Sequence, residues 1–271
     1  MYKIINNFLR SKYFDKLPRF LSRKIFKIFK IFFVETKLSI LPENNHPTNL
    51  NKNQQLEILK NANDKFYRPF NTCSFLLEAL TIYSSKKKRM RLLDFGANNI
   101  DSYIYLNRYL ENWEYIYHDL PQYNEVVSEL IKENKWNNIK VINELSLDED
   151  PLDFAVFGSA IHYIQDYKKI LKKFISNKTQ YLIFAHTPFY ISDKDDKDIV
   201  LIQVNIHPTI NYAYLIHYNN FIKFMEINNY KLISQNKNNL IKFLNFKNFS
   251  NKFTFINFLD LTFSYNKSDN K

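Results

Sequence analysis

Glycine and cysteine are both scarce in this chain. Two glycines and one cysteine occur among its 271 residues. The single cysteine, Cys73, excludes an intramolecular disulfide framework and a zinc site built from several cysteines, and it suits a reducing cytoplasm. Because glycine is so scarce, Gly96 and Gly158 are the first positions at which to expect an unusual backbone conformation.

Long apolar runs are missing from the basic amino-terminal segment. A membrane-spanning helix needs roughly 18 uncharged residues, and lysines interrupt this segment well before that length. A signal peptide is also not expected, because no apolar core with a small-residue cleavage site follows the basic start. The overall composition, 45% hydrophobic and 17% aromatic, is that of a globular protein. We therefore expect one α/β domain of generous size with a small appendage at most.

The formal net charge of +11 is concentrated at one end of the chain. Residues 1–37 hold ten lysines and arginines against Asp15 and Glu35, so +8 of the +11 lies there. Within Phe20–Val34, apolar residues recur near helical spacing and basic residues share another face, which predicts an amphipathic helix. Such a helix packs on the domain or lies on an anionic membrane surface. Nucleic-acid contact is less expected, because no binding motif accompanies the basic residues.

The sequence divides into three predicted parts. These are a basic helical arm over residues 1–41, a linker and helical lead-in over 42–90, and a main domain over 91–265, with prolines and asparagines marking the linker. In the main domain, the predicted strands are Leu92–Phe95, Glu114–His118, Ile139–Ile142, Asp153–Phe157, Tyr181–Ala185, Lys231–Ser234 and Phe253–Phe263. The predicted helices are Asp101–Leu110, Tyr123–Lys135, Tyr167–Ser176 and Asn219–Ile227, and the stretch from Ser192 to about Tyr218 is expected to be irregular.

Alternating strands and helices predict a mostly parallel sheet with right-handed crossovers. The last two strands, joined by a polar loop, are expected to form an antiparallel hairpin. In such an open sheet, ligands bind beyond the carboxyl ends of the strands, near the point where the strand order reverses. The loops that follow the predicted strands are therefore where a functional site is expected.

The first predicted strand ends in Asp94-x-Gly96, followed by Ala97 and Asn98. A dinucleotide site would need a second glycine where Asn98 stands, because pyrophosphate requires close approach of the backbone. Asparagine tolerates the left-handed conformation, so the turn itself remains feasible. S-adenosylmethionine (SAM) carries no phosphate, and its ammonium group would suit a nearby Asp94. The loop therefore favours SAM over a nicotinamide cofactor, and an ordinary strand-to-helix turn is the alternative.

The second predicted strand is followed by Asp119, 23 positions after Gly96. An acidic residue at this place can accept hydrogen bonds from both ribose hydroxyls of an adenosine cofactor. Leu120 follows it and is expected in the same site. Glu114 is a poorer candidate, since it lies at the entry of the strand, and a solvated loop aspartate is the alternative interpretation of Asp119.

The segment Leu152–Ile164 is the most specific feature of the sequence. An apolar strand ends in Gly158-Ser159 and continues through Ile-His-Tyr-Ile toward a helix, which is typical of the fourth motif of SAM-dependent methyltransferases. His162 follows the predicted strand by five positions. A histidine with a pKa near neutrality suits removal of a proton from a hydroxyl acceptor, and one that only lines the pocket is the alternative.

Taken together, these segments resemble a bacterial family of class I methyltransferases associated with O-antigen and other surface-polysaccharide gene clusters. The matching motifs are Leu93–Gly96, Asp119–Pro121, Gly158–Tyr163 and Thr187–Phe189, within a resemblance over about residues 61–261. The resemblance implies a Rossmann-like class I methyltransferase fold, an α/β sheet with a C-terminal antiparallel hairpin. It also implies SAM as cofactor and a sugar or sugar-linked acceptor in surface-glycan biosynthesis.

The residues expected to hold SAM are Asp94, Gly96, Ala97, Asn98, Asp119, Leu120, Gly158 and Ser159. His162 is the first candidate for a catalytic base and His186 the second. The six histidines show no metal-ligand spacing. The stretch predicted to be irregular contains His207 and His217 and could form a lid or an acceptor pocket. Tyr190, Tyr212 and Tyr214 could stack on a sugar or a nucleotide.

Two other functions remain open at this point. One is methylation of another small molecule or of RNA, which the basic arm could assist. The other is a non-catalytic Rossmann-like binding domain, since the first loop lacks its usual further glycines. The expected location is the cytoplasm, and a peripheral position on the inner face of the membrane is the alternative.

Overall fold

The computed structural model describes residues 33–42, 56–57, 80, 89–147, 150–193, 196–203, 211–237, 249 and 253–266. The predicted arm therefore lies outside the described residues up to residue 32, as does almost all of the predicted lead-in. No helix among the described residues is long and apolar enough to cross a membrane.

Ten strands and four α-helices have defined bounds in the described part of the chain. The strands are β1 (Phe33–Glu35), β2 (Met90–Phe95), β3 (Trp113–His118), β4 (Ile139–Val141), β5 (Phe154–Gly158), β6 (Tyr181–Ser192), β7 (Ile199–Gln203), β8 (Asn211–His217), β9 (Tyr230–Lys237) and β10 (Phe253–Tyr265). The helices are α1 (Asp101–Leu106), α2 (Pro121–Asn134), α3 (Tyr167–Ser176) and α4 (Tyr218–Ile227), with a 3-10 turn at Ile161–Tyr163.

One continuous sheet contains all ten strands. Its central part has the order β4-β3-β2-β5-β6, and these five strands are parallel. Strand β10 pairs antiparallel with β6, and β9 pairs antiparallel with β10. The strand order reverses between β2 and β5, as in a doubly wound sheet. The predicted parallel sheet with a C-terminal antiparallel pair is confirmed.

The central strands are buried on both faces, which explains why they are continuous apolar runs in the sequence. Neighbouring residues of β2 illustrate this arrangement. Leu92 packs with α1 residues such as Tyr103 on one face, and Leu93 packs with Leu171 and Phe174 of α3 on the other. The strands are thus held rigidly between two helical layers, and their carboxyl ends form a fixed edge.

A strand group that the sequence did not predict extends the sheet. Strand β6 continues to Ser192 instead of ending at Ala185, and its second half pairs with β8 in place of β5. Strands β7 and β8 pair antiparallel within the stretch that was expected to be irregular. That expectation was wrong, because these short strands are stabilised by non-local pairing that leaves little local pattern.

The predicted amphipathic helix over Phe20–Val34 is wrong at its carboxyl end. Phe33 and Val34 belong to β1, which pairs antiparallel with β7, and both side chains are buried. Phe33 stacks on Phe258 of β10, with ring centroids 5.9 Å apart. The chain near residue 33 is therefore anchored in the sheet, whereas the division of the chain at residues 41 and 90 stays a prediction.

Candidate functional site

A cavity of about 540 Å³ opens at the carboxyl edge of β2, β3 and β5, where the strand order reverses. Six of the eight residues expected to hold SAM line it: Gly96, Asn98, Asp119, Leu120, Gly158 and Ser159. The other lining residues are Phe95, His118, Tyr123, Ala160, Tyr163, Ile164 and Ile170. Asp94, Ala97, His162 and His186 do not line the cavity.

Gly96 allows the loop after β2 to approach the loop after β5. Its φ of +66° lies in the left-handed region, and its N–H donates to the carbonyl of His118 at 2.8 Å. A Cβ atom on Gly96 would lie 2.6 Å from the Cβ of Ala160, closer than two carbons can pack. Glycine is required here both by conformation and by space.

Two other cavity residues adopt the left-handed conformation without being glycine. Asn98 has φ +61° and Ser159 has φ +59°. Asparagine was expected to tolerate this conformation, and it does so at the position where a second glycine was missing. Backbone strain of this kind costs about 1–3 kcal/mol per residue and concentrates at functional sites.

The Asp119 carboxylate closes the first loop onto the end of β3. One carboxylate oxygen accepts the N–H of Asn98 at 2.5 Å, and the other accepts the N–H of Leu120 at 2.6 Å. The Asp119 backbone is fixed in turn by Asn124, whose side chain accepts from its N–H and donates to its carbonyl, both at 2.9 Å. Asp119 is therefore held rigidly at the rim of the cavity.

Asp94 lies beneath the cavity and not in its wall. Its side chain is 3% exposed, and the hydroxyl of Tyr115 donates to it at 2.5 Å. Burial raises the pKa of this carboxyl to about 6, although the hydrogen bonds from Tyr115 and Ser102 oppose the rise. Both Asp94 and Asp119 were expected to face one pocket. Asp119 lines the cavity, but Asp94 does not, because the helical layer covers the face of β2 that carries Asp94.

The raised pKa of Asp94 predicts a pH-dependent stability. The folded protein holds this proton up to about pH 6, whereas the unfolded chain releases it near the ordinary value of 3.8, so this carboxyl destabilises the fold increasingly as pH rises between those values. Asp94→Asn should therefore raise the free energy of unfolding at pH 7.5 by about 2–3 kcal/mol, at 1.36 kcal/mol per unit. Urea unfolding measures the effect, and an equal gain at pH 4 would contradict this cause.

The two candidate bases, His162 and His186, are buried and do not line the cavity, whereas a base that contacts the acceptor should reach it. His162, in the 3-10 turn, is 1% exposed, and burial together with nearby His186 lowers its pKa to about 3. His186 is also buried; burial lowers its pKa, against the opposing charge of Asp260. The expected ionisation of His162 near neutrality does not fit this placement, because desolvation keeps the imidazole uncharged.

The remaining candidates have structural partners. Glu114 forms ion pairs with Arg91 at 2.8 Å and with Lys140 at 3.0 Å, away from the carboxyl edge of the sheet.

The candidates in and near the stretch predicted to be irregular lie elsewhere in the fold. His217 caps α4 and accepts the N–H of Asn220 at 3.3 Å, and Tyr190 is fully buried against His217. The Tyr214 hydroxyl accepts the N–H of Leu41 at 3.3 Å. His207 lies outside the described residues, and Tyr212 packs at the margin of the main core.

Sequence reasoning missed Tyr163 and Gln203. Tyr163 lines the cavity, and its hydroxyl donates to the side-chain oxygen of Gln203 on β7 at 2.8 Å. The position of Tyr163 directly after His162 was a usable signal, since the motif ends in this aromatic residue. Gln203 gave no signal, because only the pairing of β7 in the sheet brings it near the cavity.

No protein-family model and no curated protein matches the sequence of this chain. Three solved structures are similar to it in fold. Coclaurine N-methyltransferase, bound to N-methylheliamine and S-adenosylhomocysteine (SAH), has a TM-score of 0.53 at 9% identity, covering 97% of this chain and 95% of its own. A candidate sarcosine dimethylglycine methyltransferase from Galdieria sulphuraria has a TM-score of 0.52 at 11% identity, covering 72% and 84%.

The third is the N-terminal domain of EvdMO1 in the presence of SAH and D-fucose. Its TM-score is 0.50 at 9% identity, and the match covers 78% of this chain and 94% of that domain. At these identities the likeness establishes the fold. The strand order, the antiparallel β9–β10 pair and these likenesses give the chain the class I, Rossmann-like methyltransferase fold.

Proposed function

We propose that this protein is a SAM-dependent methyltransferase that acts on a sugar or sugar-linked acceptor in surface-glycan biosynthesis. The cavity at the carboxyl edge of the sheet is the observation that supports SAM as cofactor. Its lining includes Gly96, Asn98, Asp119, Gly158 and Ser159. Its volume of about 540 Å³ is in the range of small-molecule sites.

Asp119 is the residue that would hold the ribose of SAM. Its carboxylate accepts two backbone N–H groups at the rim of the cavity, where a charged acceptor would suit the ribose hydroxyls. The same bonds keep the carboxylate oriented before a ligand arrives, so little conformational entropy is lost on binding. Gly96 and Gly158 would let the methionine part of SAM approach the backbone, and Asp94 would favour its positive charge from below.

The geometry of the first loop favours SAM over a nicotinamide cofactor. A pyrophosphate needs glycine at the second loop position, and Asn98 places a side chain there. Calorimetric titration with SAM and then with NADH tests the proposal. Micromolar binding of SAM without binding of NADH is expected, and binding of neither would leave a non-catalytic domain as the function.

The sugar acceptor rests on the motif resemblance and on a related fold. D-Fucose was present with SAH in the structure of the EvdMO1 domain, which shares this fold. Methyl transfer from a sulfonium is an in-line displacement in which positioning of the acceptor supplies much of the catalysis. An acceptor hydroxyl would enter beside Tyr163, on the side of the cavity that adjoins β7.

A cytoplasmic location at an anionic membrane surface would suit a glycan acceptor carried on lipid. The basis is the excess of +8 within residues 1–37. Deletion of residues 1–30, which spares β1, should release the protein from phosphatidylserine vesicles, since each basic residue near such a surface contributes about 1 kcal/mol. Co-sedimentation measures binding, with phosphatidylcholine vesicles as control. A full-length chain that does not sediment with anionic vesicles would exclude this role, and aggregation of the deletion variant would favour a helix packed on the domain.

A further inference from the structure

His118 is the last residue of β3 and lines the cavity beside Asp119. Its ring is held on two sides. The ring nitrogen Nδ1 lies 2.9 Å from the carbonyl oxygen of Ile142, and the ring packs against that of Phe95 with centroids 5.1 Å apart. The orientation of the imidazole is therefore fixed before a ligand binds, which reduces the entropy lost on binding.

The contact with Ile142 determines which nitrogen of the His118 ring carries the proton. A carbonyl oxygen only accepts hydrogen bonds, so Nδ1 must be the donor. In the neutral ring the other nitrogen, Nε2, is then unprotonated and can only accept. No described residue forms a hydrogen bond with Nε2. His118 therefore offers a ligand in the cavity one acceptor and no donor.

The surroundings of His118 suit a flat, mostly apolar ring system. Ile164 and Ile170 line the same cavity and pack against the hydrophobic cluster that contains Phe95. Asp119, the next residue in the chain, is the proposed partner of the ribose. Because the base of a nucleoside is joined to its ribose by a single bond, a base on that ribose would lie within reach of His118.

The hydrogen-bonding groups of adenine leave one way to pair with an acceptor. Its ring nitrogens N1, N3 and N7 accept, and its exocyclic amino group is the donor. An Nε2 atom that can only accept must therefore meet the amino group. We propose that Nε2 of His118 accepts a hydrogen bond from the adenine amino group of SAM, and that His118 thereby selects adenine over other purines. This inference rests on the proposed methyltransferase function.

The test compares the binding of SAH with that of two analogues by calorimetry at pH 8. One analogue carries unsubstituted purine in place of adenine, and the other carries hypoxanthine, in which a carbonyl replaces the amino group. The wild type should bind the unsubstituted analogue about 3–10-fold more weakly than SAH, as expected for one lost neutral hydrogen bond. The hypoxanthine analogue should bind at least about 10-fold more weakly, because its carbonyl oxygen would face an acceptor.

Two substitutions of His118 separate the two bonds of its ring. His118→Asn keeps an amide N–H that can donate to Ile142 but has no acceptor at the position of Nε2. This variant should bind SAH and the unsubstituted analogue equally well. His118→Gln carries an amide oxygen near the position of Nε2 and should keep the preference for SAH. The preference is a ratio of two affinities, so a general loosening of the loops does not imitate its loss.

The imidazole 15N signals of the wild type provide a measurement that does not depend on folding of the variants. The Nε2 signal of His118 should move upfield when SAH is added, because accepting a hydrogen bond polarises the lone pair, and it should not do so with the unsubstituted analogue. Equal wild-type affinities for all three ligands, or a preference for SAH that His118→Asn retains, would overturn the inference while SAM binding stands. A wild type that binds no SAH would overturn the proposed function.

Discussion

Gly96→Ala should abolish measurable SAM binding, a loss of at least about 100-fold, and lower the free energy of unfolding by about 1–3 kcal/mol. The added Cβ would lie 2.6 Å from the Cβ of Ala160, and φ at this residue is +66°. Both effects push the loop after β2 away from the loop after β5, and both loops line the cavity. Calorimetry with SAM and urea unfolding measure the two consequences.

A second substitution at Ala160, the residue that Gly96 approaches, provides a matched control. Ala160→Gly removes the atom that the new methyl group would meet, so the double variant should regain part of the stability and part of the SAM affinity. The left-handed strain remains in the double variant, so recovery should be incomplete. Normal SAM binding by Gly96→Ala alone would mean that the two loops need not be close for the cofactor to bind.

Asp119→Ala should weaken SAM binding by about 1.5–3 kcal/mol, which corresponds to roughly 10–150-fold in Kd. Two ribose hydroxyls would lose a charged acceptor, and hydrogen bonds to charged groups are about twice as strong as neutral ones. The substitution also frees the N–H groups of Asn98 and Leu120, which the carboxylate now holds. In the variant, SAM binding would therefore also have to order the loops that contain Asn98 and Leu120.

Asp119→Asn separates the two contributions. It keeps an oxygen that can accept one backbone N–H but removes the charge, so its Kd for SAM should lie between those of the wild type and Asp119→Ala. Glu111→Ala, an exposed acidic residue before β3, serves as the control for net charge and should bind SAM normally. Equal affinities of Asp119→Ala and the wild type would remove Asp119 from the cofactor site.

The sequence by itself determined the central sheet and the edge where the cavity lies. Apolar runs such as Leu92–Phe95 and Phe154–Phe157 indicate strands buried on both faces, and the helix at Tyr167–Ser176 was predicted with its observed bounds. Asp119, Gly96 and Gly158 could be placed in one site because the ends of parallel strands meet at one edge. These are local patterns combined with a general rule of connection, so they need no knowledge of distant contacts.

Tertiary structure alone decided which of these residues line the cavity. Asp94 lies near the end of β2 and Asp119 directly after β3, yet Asp94 is covered by the helical layer and Asp119 lies at the rim. His162 is buried, and its 3-10 turn contacts β6 and β8. Gln203 reaches Tyr163 only because β7 pairs with β8. Burial and pairing depend on segments far apart in the chain, and β1 and β7 pair across more than 160 residues. Periodicity does not record such contacts, because their free energy arises only when the distant strands come together.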